Sequence, residues 1–245
     1  MLRNFLSKPA AVKPWMALGI PVWVIAGFLL AQVVAGLLLA GLNLVGVSFE
    51  GLNESTLQTV ISAIIYIISL TIVIGLPWWV KRYRTTRKEL GFEGSFTWLD
   101  ILLTPFAFGF YAVLSAILTA VAIHFPFYDA QQVQDTGFTQ LTHGYEYALA
   151  FLTLVIIAPV AEETLFRGYL LGKLRKYVAT WIAILITSVV FGILHFAWNV
   201  GIDVFALSIV LCILRVVSGR LWPSILLHMV KNGLAFYILF INPLL

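Results

Sequence analysis

The sequence is short of the things a soluble enzyme relies on. Only 11% of its 245 residues are charged, and only four are histidine. An ordinary soluble domain carries about 25% charged residues. Its single cysteine, Cys212, excludes an intrachain disulfide and a cysteine metal cluster. No HExxH zinc-protease signature occurs, and there is no internal repeat, low-complexity tract or linker. What is abundant is apolar: 61% of the residues are hydrophobic, with a mean hydropathy of +1.00. One soluble core of this size cannot hide that much apolar surface, so for most of the chain the solvent is lipid. A soluble enzyme, a disordered chain and a nucleic-acid-binding domain are excluded. The net charge of +4 then reads as membrane topology, not as nucleic-acid affinity.

Long apolar stretches occur near 15–47, 57–80, 98–123, 147–171, 181–196, 204–217 and 221–240. The first is too long for a signal-peptide core and has no convincing cleavage site, so it reads as a retained span. A span needs about 20 residues, and the expected fold is therefore an all-α polytopic bundle of about seven transmembrane helices, within six to eight, forming one membrane domain over 1–245. The fifth and sixth stretches are short. Basic residues gather before the first span (Arg3, Lys8, Lys13), after the second (Lys81, Arg82, Arg84, Arg87, Lys88), after the fourth (Lys173, Arg175, Lys176) and around the turn after the sixth (Arg215, Arg220). The alternate loops carry Glu50 and Glu54, then Asp129, Asp135 and Glu146, then Asp203. The positive-inside rule puts the N-terminus in the cytoplasm and, with seven spans, the C-terminus outside. The polar 126–145 loop is the candidate external cap or lid, and His124 and His143 read as surface residues.

Polar residues interrupt the spans of the second half. They are Glu162-Glu163-Thr164-Leu165-Phe166-Arg167, Phe191-Gly192-Ile193-Leu194-His195, and His228-Met229-Val230-Lys231-Asn232. A carboxylate at bilayer depth costs roughly 2.5–3.5 kcal/mol on insertion scales, so such residues need partners and point to function. Glu163 and Arg167, four apart, share a helix face and can pair. Glu162 points about 100° away, and in a low-dielectric site its carboxyl suits general acid–base work near neutral pH. A helical hairpin turning near Val178 brings Glu162 and His195 to one level. A second, turning near Gly219, brings Asn232 and His228 toward the same level across a short 199–203 turn. Four groups on three helices, Glu162, His195, His228 and Asn232, can then converge on a water-accessible cavity inside the membrane. Lys231 is expected to snorkel or line that cavity.

At these residues the sequence resembles the intramembrane endopeptidases related to CAAX prenyl proteases and bacteriocin-processing enzymes (CPBP, or Abi), whose motifs have the form EExxxR, FxxxH and HxxxN. All three stand intact and in order here, and the flanks 166–170 and 219–228 are similar too. The resemblance covers roughly 158–232; the first half matches only as a string of spans. It implies that Glu162 activates a water, that His195 helps to hold it, and that His228 and Asn232 donate to the oxyanion of a tetrahedral intermediate. Glu163, Arg167 and Phe191 would support them. It leaves the metal open. Glu162, His195 and His228 could ligate zinc or another divalent cation with water in the fourth place. Three separate helices and a poor ligand in Asn232 favour a metal-free glutamate mechanism, with no cofactor required. The expected partners are membrane lipid and a membrane-associated or lipidated peptide or protein, in a prokaryotic cytoplasmic membrane. Two other readings stay open: a non-catalytic scaffold or immunity protein of the same fold, and a proton-coupled transporter.

Overall fold

A computed structural model describes residues 14–49, 51–126, 128–129, 136–138 and 141–242. Among these there is no β-strand. Eight helices follow one another: α1 Pro14–Leu44, α2 Glu54–Lys81, α3 Arg87–Leu90, α4 Trp98–Ala122, α5 Gly144–Leu174, α6 Thr180–Ile193, α7 Trp198–Ser218 and α8 Trp222–Ile241. Six of them (α1, α2, α4, α5, α7 and α8) are long and apolar enough to cross a membrane. Their outward faces carry residues such as Leu18, Leu37, Leu102, Phe106 and Ile117, all more than half exposed. Such faces are stable only against hydrocarbon. Trp78, Trp79, Trp98, Trp181 and Trp198 stand at helix ends, where indoles favour the lipid–water boundary. The protein is therefore an integral membrane helical protein, and six long helices plus the shorter α6 agree with the expected count.

Two expectations need correction. The sixth stretch is not short: α7 runs for 21 residues and takes in Asn199 and Asp203, so there is no turn at 199–203 and Asp203 is not a loop residue. Its carboxylate accepts hydrogen bonds from the Tyr111 hydroxyl at 2.7 Å and the Ser115 hydroxyl at 2.6 Å, both on α4. Two donors from a neighbouring helix replace water, and an acid can then sit inside a span. The chain instead turns at 194–197, because α6 ends at Ile193. Arg3, Lys8, Lys13, Glu50, Asp135 and much of the expected lid lie outside the described residues.

The chain forms two compact units, each assembled from separated stretches. One comprises Met1–Trp23, Thr85–Gln134 and Glu162–His228; the other comprises Val24–Arg84, Asp135–Ala161 and Met229–Leu245. The core of the first joins Tyr111, Ala206, Leu207, Val210, Leu211 and Leu227 from α4, α7 and α8. In the same unit α6 and α7 approach very closely: a Cβ on Gly192 would stand 2.8 Å from the Gly201 carbonyl oxygen, and one on Gly201 would stand 3.0 Å from that of Gly192. Only glycine allows this backbone contact, which fixes the end of α6 just before His195. The second unit packs Phe138, Ala150, Val155 and Phe236 together.

Candidate active site

Helix α5 is irregular where it matters. Wide π-type turns occupy Leu152–Ile157 and Thr164–Leu170, on either side of Pro159 and the two glutamates. Proline has no N–H to donate and its ring crowds the preceding turn, and a widened turn relieves that crowding. The Ala158 amide bonds back to the Thr153 carbonyl, so the Leu154 carbonyl loses its usual helical donor. The side-chain amide of Asn232 supplies the missing bond, with Nδ2 donating to Leu154 O at 2.8 Å. One of the two Asn232 N–H groups is thus committed to the backbone of α5.

In the first unit, Glu163 and Arg167 are both completely buried and pair at 2.7 Å from NH1 to Oε1. The same Oε1 lies 2.9 Å from Nδ1 of His228. An ionised carboxylate can only accept, so Nδ1 of His228 carries a proton, and its Nε2 faces the other way. There the Glu162 carboxylate stands 3.8 Å from Nε2. That separation is too long for a direct hydrogen bond and suits a bridging water. His228 is therefore flanked by a carboxylate on each ring nitrogen. Glu162 is the more open of the two acids, with its side chain 16% exposed against 0% for Glu163.

Phe191 joins the second imidazole to this cluster. Its ring centroid is 5.0 Å from that of His195 and 5.9 Å from that of His228, both edge-on, and 5.0 Å from that of Phe166. The Arg167 guanidinium lies over the Phe191 ring, 4.3 Å from the centroid. This cation–π contact, worth about 2 kcal/mol when desolvated, helps to hold a cation whose Nε and NH2 have no hydrogen-bond partner. His195 follows the end of α6, and its Nδ1 lies 2.8 Å from the Phe191 carbonyl. A carbonyl only accepts, so Nδ1 carries a proton. The F and H of the second motif are thus linked twice, through ring packing and through the backbone.

The structure brings Glu162, Glu163, Arg167, Phe191, His195 and His228 into one connected cluster within one unit. Asn232 lies one helical turn beyond His228 on α8 and is held by Leu154. Sequence reasoning missed two links, Glu163 to His228 and Asn232 to Leu154, because neither partner lies on the same helix. Pro159 was the available signal for the second. As for a metal, among the described residues no three His, Cys, Asp or Glu side chains stand together as a ligand set. With Nδ1 of His228 engaged by Glu163, the pair Glu162 and His228 offers two donors, short of the three protein ligands of a catalytic zinc site.

Comparison with known proteins agrees with the motifs. A family model described as Type II CAAX prenyl endopeptidase Rce1-like matches residues 144–234, which include all three motifs. An uncharacterized 24.3 kDa protein of Escherichia coli is 38% identical over 86 residues, 33% of this chain and 40% of that relative. The membrane-embedded CAAX protease MroQ of Staphylococcus aureus (strain USA300) is 22% identical over 206 residues, 80% of each chain. No solved structure matches. The resemblance to the CAAX-protease-like endopeptidases is borne out over residues 144–234, the stretch that carries the three motifs.

Proposed function

We propose that this protein is an intramembrane endopeptidase that hydrolyses a peptide bond of a membrane-associated or lipidated peptide or protein. The observation that carries the reading is the 3.8 Å gap between Glu162 Oε2 and His228 Nε2, beside an imidazole anchored by a buried acid. Glu162 takes a proton from the water, the hydroxide forms the new C–O bond, and the carbonyl π electrons move to oxygen. Glu162 then returns the proton to the leaving amine as the C–N bond breaks. His195 holds the water through Nε2. His228, held at Nδ1 by Glu163, donates from Nε2 to the oxyanion, and the second Asn232 N–H adds a further donor. Glu163 and Arg167 fix the His228 ring, and Phe191 sets the spacing of the two imidazoles. The mechanism is metal-free. Both units serve one membrane domain, with the N-terminus and the basic loops on the cytoplasmic side of a prokaryotic membrane.

The test is substrate trapping. Glu162→Gln protein expressed in the native membrane should accumulate uncut substrate, identified by mass spectrometry and then cleaved by the purified wild type. Activity unchanged by chelation, in protein free of metal by elemental analysis, supports the glutamate mechanism. Full biological effect from Glu162→Gln would favour a scaffold, and solute flux in liposomes without peptide cleavage would favour a transporter.

A further inference from the structure

Away from the motif cluster, the first unit gathers cations where α5 and α7 end. Lys173, Arg175 and Lys176 close α5, and Arg215 lies in the last turn of α7. The segment around α3 packs onto both: Gly168 and Gly172 face the Leu90 and Glu89 carbonyls, and the Leu221 amide bonds to the Gly91 carbonyl at 2.9 Å. Gly91 has φ +94°, and a Cβ there would stand 2.7 Å from the Arg215 guanidinium carbon. The missing side chain therefore makes the room in which Arg215 lies.

The charges in this recess are unbalanced. Arg215 is only 8% exposed, yet its hydrogen bonds go to carbonyls: NH1 to Gly219 O at 2.6 Å and NH2 to Glu89 O at 3.2 Å. Its Nε is buried with no hydrogen-bond partner. Arg175 lies close enough to repel it, and gives one hydrogen bond, from Nε to the Thr180 hydroxyl at 3.3 Å. The Glu89 carboxylate is claimed by Lys176 at 2.7 Å and by Lys173 at 3.9 Å. Two lysines thus share the Glu89 carboxylate, and Arg215 reaches only the Glu89 carbonyl. Two like charges withdrawn from water with no counter-carboxylate are costly, and burial also holds the Arg175 guanidinium below its ordinary range. An oxyanion that accepts from both guanidiniums would relieve the repulsion.

We propose that Arg175 and Arg215 form a binding site for a phosphate-class oxyanion, occupied by the headgroup of an anionic phospholipid. Both residues lie at the ends of membrane-crossing helices, the depth at which headgroup phosphates lie, and basic recesses between helix ends suit such lipids. The site is independent of the protease reading.

The experiment uses the full chain, delipidated and returned to nanodiscs of phosphatidylcholine alone or with phosphatidylglycerol. Wild type should retain phosphatidylglycerol by native mass spectrometry and melt higher in its presence. Arg175→Gln should weaken that retention about fivefold, while remaining folded because Arg175 is the less buried of the pair. Lys88→Gln, at an exposed lysine paired with Glu93, should retain the lipid like wild type. Displacement of the lipid by millimolar inorganic phosphate, with equal stabilisation, would keep the anion site but overturn the lipid as its occupant. Equal melting in both bilayers, or equal loss in Lys88→Gln and Arg175→Gln, would overturn the site.

Discussion

The imidazole of His228 meets Glu163 at 2.9 Å on its Nδ1 side and Glu162 at 3.8 Å on its Nε2 side. Two adjacent acids in one helix therefore address opposite edges of one ring. Glu163 is completely buried and shared with Arg167, so it orients. Glu162 is the more open of the two, as its proposed role as the base requires.

The Glu163–Arg167 pair makes a prediction about stability. Removing one member leaves the other charge buried and unpaired, which costs about 3–5 kcal/mol. Glu163→Ala and Arg167→Ala should each lower the melting temperature in detergent sharply. The double replacement Glu163→Gln with Arg167→Met removes both charges and should lose less than either single variant. Additive losses would show that the two residues act separately.

Asn232 has one N–H on the Leu154 carbonyl and one to spare. Asn232→Ala orphans a carbonyl next to Pro159 and should cost about 1–3 kcal/mol of stability. Loss of an oxyanion donor should in addition lower kcat by about 10²–10³ in the folded fraction, with KM little changed. Comparing the thermal melt with kcat per folded molecule separates the two roles. A destabilised variant of normal kcat would leave Asn232 a purely structural residue.

Gly192 is a steric prediction. The Cβ of Gly192→Ala would stand 2.8 Å from the Gly201 carbonyl oxygen, a fixed backbone atom, so α6 and α7 must move apart. His195 follows three residues later and should move with the end of α6. Gly192→Ala should therefore lose activity as well as stability, while Gly109→Ala, where a Cβ meets nothing within 4 Å, should change neither. Equal effects at the two glycines would contradict the close contact.

The exposed end of the protein supplies a pH dependence. The hydrogen bond from Lys176 to Glu89 holds that carboxyl below the ordinary glutamate range, helped by the Thr86 amide and by Lys173 and opposed by burial. A depressed folded-state value means that the stabilisation is present above the ordinary glutamate value, about 4.3, and is lost as pH falls through the folded value. Lys176→Ala should melt slightly below wild type at pH 7, and the difference should vanish in strong acid. The pair is solvent-exposed, so the effect at neutral pH is small. A difference that grows on acidification would reverse the assignment.

The three motifs were legible because polar residues in apolar runs stand out against the cost of inserting them. The Glu163–Arg167 pair was legible because both lie on one helix. Asp203 misled for the same reason that the motifs were clear: an acid looks like the edge of a span until its solvating hydroxyls are found. Tyr111 and Ser115 lie 92 and 88 residues away, a relation no local pattern carries. The shift of His195 from helix to turn follows from the Gly192–Gly201 contact, which is tertiary. The link from Asn232 to Leu154 depends on a wide turn that Pro159 hints at but does not specify.

The most direct measurement is cleavage of the trapped substrate by purified protein in proteoliposomes. Wild type should cut it, and Glu162→Gln, folded by its melting curve, should be slower by about 10²–10⁴, as expected for loss of a general base. Wild-type rates from folded Glu162→Gln would contradict the assigned chemistry.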